Sequence, residues 1–304
     1  MKPRSLKAGD TIQLVTPASP LSEEKLEFML DLLHEQGYQT KLSPHALDAD
    51  GYLAGSDKDR ATDLQSAFDD PETAAVLCTR GGYGCARILP MLDLPRIAAS
   101  GKMLIGFSDI TSLHLALNRL RAPTVHAPMA LTFHYPREPW VYDSFCRVLR
   151  DELEAPAEAP RAATVVSGVA EGDTVGGCLC LLMDSVGTPW ALETENKLLL
   201  IEDVGENPHR VDAMLTHLVN SGLAAKAAGF VVGEMTRSDE LADKDIGARP
   251  WREIVQERLA PLGKPMVIDF PFGHAKGMLS LPLGIRAKLD ADAGTLSYME
   301  SLCG

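Results

Sequence analysis

Three short stretches of the chain hold residue types that hydrolytic chemistry requires. Gly106-Phe107-Ser108-Asp109-Ile110-Thr111 joins an apolar run to the helical pattern SLHLALNRL. A serine at a strand-to-helix turn is well presented as a nucleophile, and the backbone N–H that follows it can face an oxyanion. The same serine also reads as a helix cap, since Ser and Asp are common at that position. Ile110 stands where the hydrolase elbow GxSxG has its second glycine. Arg80-Gly81-Gly82-Tyr83-Gly84 follows the apolar run AAVLCT. Its glycines let the backbone approach a ligand with N–H groups turned outward, as oxyanion holes and anion sites both require. It also reads as a tight turn, and it lacks the GxxxxGK[ST] and GxGxxG spacings of nucleotide phosphate loops.

The third stretch pairs Ile201-Glu202-Asp203, at the end of the apolar run KLLLI, with the distant Gly273-His274. A carboxylate at a strand end can orient a histidine, or it can simply be solvated. Side chains alternate along a strand, so Glu202 shares a face with Leu198 and Leu200, and Asp203 with Leu199 and Ile201. Alternation alone leaves open which acid meets the imidazole. Of the other histidines, His34 and His45 read as surface positions and His114, His209 and His217 lie in helical patterns. His126 follows a strand and could line a pocket. The six cysteines form no CxxC pair, so neither a zinc ribbon nor a thioredoxin-type motif is supported, and HExxH is absent. Cys178-x-Cys180 sits in the apolar GGCLCLLMDSV and reads as buried thiols behaving as small hydrophobes.

Elements that position these residues follow from periodicity. Strands are expected at 11–16, 39–42, 74–79 and 103–107. Helices are expected between them, one capped by Ser22 and ended by Gly37, another opened by Ser56. Strands alternating with helices predict a parallel sheet covered on both faces, an α/β domain over 1–135. Prolines and the acidic DELEAPAEAPRAA mark 136–163 as a linker. Residues 164–304 read as a smaller, mixed α+β domain: a strand at 197–201, a helix from Pro208 to Gly222, strands at 228–232 and 266–268, and a hairpin of 285–289 with 295–298.

Composition narrows the function classes. The 304 residues carry a formal charge of −13, which argues against a partner that is a nucleic acid polymer or an anionic membrane. Apolar residues at 45% and charged residues at 23% fit a folded globular protein. MKPRSLKAGDTIQLVTP lacks the apolar core of a secretory signal, and no run approaches the length of a membrane span. A cytoplasmic location is therefore expected.

In chain order, GDTIQLVTPASP, RGGYG, GFSDIT, IEDVGE and FGH…LPLG resemble the LD-carboxypeptidase family of serine peptidases, which includes muramoyl-tetrapeptide carboxypeptidases and microcin C immunity proteins. The resemblance covers almost the whole chain. It implies an α/β N-terminal domain and a smaller C-terminal domain, with Ser108 as nucleophile, His274 as base, Glu202 as the carboxylate that orients it, and the N–H groups of Gly82 and Asp109 as oxyanion hole. It implies a homodimer and neither metal nor cofactor. The substrate implied is a small peptide, an L,D-murein tetrapeptide losing its terminal D-alanine in peptidoglycan recycling. Cleavage of a peptidyl-nucleotide amide is the alternative within the family. A non-catalytic two-domain binding protein, with Ser108 only a cap, is the alternative outside it. Two segments depart from the family pattern: Cys178 replaces the usual Asn of GGNL, and Ala275-Lys276 follow Gly273-His274.

Overall fold

The computed structural model describes residues 1–243, 245, 247 and 249–304. Short apolar runs separated by amphipathic stretches give, in order, β1 (Thr11–Val15), α1 (Glu27–Glu35), β2 (Gln39–Leu42), α2 (Asp57–Asp69), β3 (Thr73–Cys78), α3 (Cys85–Ile88), α4 (Leu94–Ala99), β4 (Met103–Gly106), α5 (Thr111–Arg119), β5 (Thr124–His126), α6 (Ala130–Phe133) and α7 (Pro139–Leu149). The five strands are parallel in the order β2-β1-β3-β4-β5. Every residue of β3 and β4 is buried, as expected of central strands covered on both faces. Ser56 caps α2 as expected, its Oγ accepting the Asp59 N–H at 3.1 Å. Ser22 makes no such bond: a 3-10 turn, Glu23–Lys25, follows it, and α1 begins only at Glu27.

The second half supplies β6 (Ala163–Val166), β7 (Val169–Cys178), α8 (Leu179–Asp184), β8 (Lys197–Val204), α9 (Pro208–Asn220), α10 (Leu223–Lys226), β9 (Gly229–Thr236), α11 (Trp251–Leu259), β10 (Met266–Ile268), β11 (Leu281–Leu283), β12 (Arg286–Asp290) and β13 (Thr295–Tyr298). A seven-stranded sheet runs β13-β12-β7-β8-β9-β10-β6. Its centre, β7 to β10, is parallel, and β6, β12 and β13 are antiparallel additions. On α9, Val211, Met214, Leu215 and Leu218 are buried at the spacing of one helical face, with Pro208 in the first turn.

The chain divides into two compact units, 1–156 with 280–284 and 301–304, and 157–279 with 285–300. This differs from the expected boundaries because apolar faces override composition. Within 136–163, α7 buries Val141, Phe145 and Leu149 in the first unit, and β6 joins the second sheet. β11 returns to the first unit, where it pairs antiparallel with β5. Among the described residues, no helix is long and apolar enough to cross a membrane.

His114 on α5 is fully buried, and its Nε2–H donates to the carbonyl of Gly106 at the end of β4, 2.9 Å away. Burial, with His126 nearby as the second cause, lowers its pKa to about 3, although the hydrogen bond opposes the shift. The folded value lies below the unfolded one of about 6.5, so the stabilisation is complete above that pH and is lost as pH falls towards 3. Urea unfolding of the wild type should therefore steepen with acidity between pH 6 and 4. His114→Gln should remove about one proton from that slope, roughly 1.4 kcal/mol per pH unit. Equal slopes in the two proteins would contradict this.

Candidate active site

In the first sheet the strand order turns back between β1 and β3, and open α/β sheets bind ligands beyond the carboxyl ends of strands at such a point. The loops there are tied together. The hydroxyls of Thr16 and Thr79 lie 2.8 Å apart. Ser19 donates its N–H to the Gly81 carbonyl at 3.1 Å and accepts the Tyr83 N–H on Oγ at 3.2 Å. Arg60 of α2, only 2% exposed, donates to the carbonyls of Pro17 and Gly84 and pairs with Asp57. A buried guanidinium requires such partners. Gly82 and Gly84 hold φ of +106° and +139°, which side chains rarely adopt.

Ser108 stands two residues beyond the end of β4, after Phe107, and opens a 3-10 turn, Ser108–Ile110, ahead of α5. Its φ is +64°, in the left-handed region, a conformation costing a non-glycine residue about 1–3 kcal/mol. The cap positions of the turn and of α5 are Phe107 and Ile110, so Ser108 is not a helix cap. The glycine loop comes up against it. A Cβ on Gly81 would lie 2.7 Å from Ser108 Cβ, 2.9 Å from its Oγ and 3.2 Å from the Asp109 nitrogen. The buried Asp109 carboxylate accepts the Cys85 N–H at 2.8 Å and so ties the serine turn to the start of α3. Cys85 is itself fully buried, and burial holds its thiol far above the usual range, with the Asp109 charge as second cause.

The second unit holds a second cluster of the residues singled out in the sequence. β8 runs three residues past its expected end, so Glu202 and Asp203 lie inside the strand, both buried rather than solvated. Glu202 Oε2 accepts the Nδ1–H of His274 at 2.7 Å and the backbone N–H of His274 at 3.1 Å. Gly273 reaches this position with φ +86°, and any Cβ there would collide with the Glu202 side chain. The imidazole remains 17% exposed, with Nε2 as the nitrogen not engaged by Glu202. Asp203 turns elsewhere: Oδ2 accepts from the Cys180 N–H at 2.8 Å and Oδ1 from the Val204 N–H at 2.7 Å. Burial, and then the Glu202 charge, raise the Asp203 carboxyl to about 6.

The structure thus brings Gly81, Gly82, Ser108 and Asp109 together in the first unit, and Glu202 and His274 in the second. His126 is buried instead at the end of β5, its ring 5.5 Å from that of Phe107. Sequence reasoning missed Ser19 and Arg60, which brace the glycine loop. Nothing in DKDRATDLQ marks Arg60 as different from a surface arginine of an amphipathic helix.

Residues 12–127 match the LD-carboxypeptidase N-terminal domain and residues 171–289 the LD-carboxypeptidase C-terminal domain. The chain is 34% identical over 297 residues to the probable murein peptide carboxypeptidase of Bacillus subtilis, covering 95% of this chain and 91% of that protein. It is 31% identical over 298 residues to the murein tetrapeptide carboxypeptidase of Pseudomonas aeruginosa, covering 92% and 93%. Its fold matches the solved structure of MccF in complex with glutamyl sulfamoyl guanosine, with a TM-score of 0.87 and 24% identity over 100% of this chain and 99% of the other.

The approach of Gly81 to Ser108 yields a test. Gly81 has an ordinary φ, so Gly81→Ala acts by contact alone and pushes on Ser108 and the Asp109 amide. Displacements of about 1 Å at a reacting group cost on the order of 10²-fold in rate. Gly81→Ala should keep the wild-type circular dichroism spectrum but react with a serine-directed fluorophosphonate at least about tenfold more slowly. Equal labelling rates would show that the contact does not matter.

Proposed function

Because the chain belongs to the LD-carboxypeptidase family, we propose that it is a serine carboxypeptidase removing the terminal D-alanine from an L,D-murein tetrapeptide during peptidoglycan recycling. The observation that carries this reading is Ser108, held at φ +64° on the carboxyl end of β4 against the glycine loop. A helix cap has no use for that conformation, whereas a nucleophile gains presentation from it. The murein substrate is taken from relatives that carry that name. The same reading takes the protein to be a homodimer that meets its small peptide in the cytoplasm.

In the proposed mechanism His274 Nε2 removes the Ser108 hydroxyl proton as Oγ bonds to the carbonyl carbon of the terminal amide. The N–H groups of Gly82 and Asp109 receive the resulting oxyanion, a contribution of about 3 kcal/mol per donor. Glu202 stabilises the imidazolium and holds the tautomer that leaves Nε2 as the acceptor. His274 then gives its proton to the nitrogen of the departing D-alanine as the C–N bond breaks. Water, deprotonated by the same imidazole, hydrolyses the Ser108 ester. No step calls on a metal or cofactor, so prolonged incubation with EDTA should leave the rate unchanged.

Mass spectrometry of the products released from a panel of L,D- and L,L-peptides and a peptidyl-nucleotide tests the reading. Release from the L,D-tetrapeptide should predominate and nearly vanish in Ser108→Ala. Wild-type turnover in folded Ser108→Ala would end the serine mechanism, and preference for the nucleotide would reassign the substrate. In another serine peptidase, replacing the orienting carboxylate lowers kcat about 10⁴-fold. Glu202→Gln should lose about 10²–10⁴-fold here, and Asp203→Asn much less. A crippled Asp203→Asn beside an active Glu202→Gln would reverse the assignment.

A further inference from the structure

Apart from the groups assigned to hydrolysis, a second chemical cluster lies in the second unit. Parallel pairing of β7 with β8 sets Cys178 in register with Glu202 and brings the start of α8 beside Asp203. Gly176 permits that approach, because a Cβ there would overlap the Leu200 backbone. Two sulfurs and one carboxylate oxygen then face one another. Cys178 Sγ lies 3.5 Å from Cys180 Sγ and 3.3 Å from Asp203 Oδ1, and Cys180 Sγ lies 3.8 Å from the same oxygen.

We propose that Cys178, Cys180 and Asp203 form a binding site for a thiophilic divalent cation of the zinc class. Zinc binds sulfur at about 2.3 Å and carboxylate oxygen at about 2.0 Å, so one tetrahedral face has S···S of about 3.8 Å and S···O of about 3.5 Å. The three observed separations lie close to those edges, so the site needs little rearrangement to take an ion. The carboxylate is also oriented from behind, by the Cys180 and Val204 N–H groups, as ligands of metal sites commonly are. Asp203 Oδ1 has two lone pairs, one for Val204 and one for an ion. Cys180 is half-buried, so an ion enters from its side and water completes the tetrahedron. As the two metal–sulfur bonds form, both thiol protons pass to solvent. The sequence concealed this site: Cys178-x-Cys180 is too short a spacing for a zinc ribbon, and the third ligand is 23 residues further on, across a strand pair.

Titration of the reduced full-length protein with Co²⁺ tests the site without reference to hydrolysis. The expected result is a near-ultraviolet thiolate-to-cobalt charge-transfer band that saturates at one equivalent and is displaced by Zn²⁺. Cys180→Ser should weaken Co²⁺ binding at least about tenfold, and so should Asp203→Asn. Cys146→Ala and Cys303→Ala should leave the titration unchanged. The half-buried Cys180 keeps the test available if replacing the buried Cys178 impairs folding. Absence of the band overturns the proposal, as does a band unchanged in Cys180→Ser or Asp203→Asn, or one lost in Cys303→Ala.

Discussion

A left-handed serine that opens a 3-10 turn just beyond a buried strand is the constraint on which the first unit's site depends. β4 is covered on both faces, so the chain leaves the sheet abruptly at Gly106, and Ser108 takes up the change of direction at φ +64°. A conformation that costs about 1–3 kcal/mol persists only when its surroundings over-determine it. The surroundings do so from two directions. Gly81 leaves the space the serine occupies, and Asp109 ties the turn to the start of α3. Ser19 and Arg60 in turn fix the glycine loop from the ends of β1 and α2.

The second unit solves a different problem, that of placing an ionisable group inside a parallel sheet. A buried carboxylate is tolerated only when it is hydrogen-bonded. Glu202 meets that requirement with two donors from one residue, the ring and the backbone N–H of His274, and so fixes both the loop and the ring. Its neighbour meets the requirement with the amides of Cys180 and Val204. Adjacent acids on one strand therefore serve separate networks. A register irregularity in the pairing of β8 with β9 falls between Ile201 and Asp203, where the two networks part.

Much of this was legible in the residues. β2 and β10, α9 and the hairpin of β12 with β13 lie where periodicity and turn residues placed them. The choice of cap or nucleophile for Ser108 was not legible, because both use the same residue types at a strand-to-helix turn. The caps fall to Phe107 and Ile110 because of the left-handed torsion at Ser108, and a sequence does not display torsions. The choice between Glu202 and Asp203 required the loop that brings Gly273 against β8. The return of β11 to the first sheet was hidden because a three-residue apolar run carries no partner information. Arg60 was hidden because burial of an arginine depends on carbonyls supplied by loops distant in sequence.

The central claim is that hydrolysis passes through an ester on Ser108, and chemical capture of that ester tests it most directly. The wild-type protein would be mixed with an L,D-tetrapeptide, quenched in acid within one turnover, digested and mapped by mass spectrometry. The account predicts an added mass equal to the peptide less its terminal D-alanine, on the fragment containing Ser108. The same mass found on a fragment containing Cys85 or Cys178 and not Ser108 would contradict it.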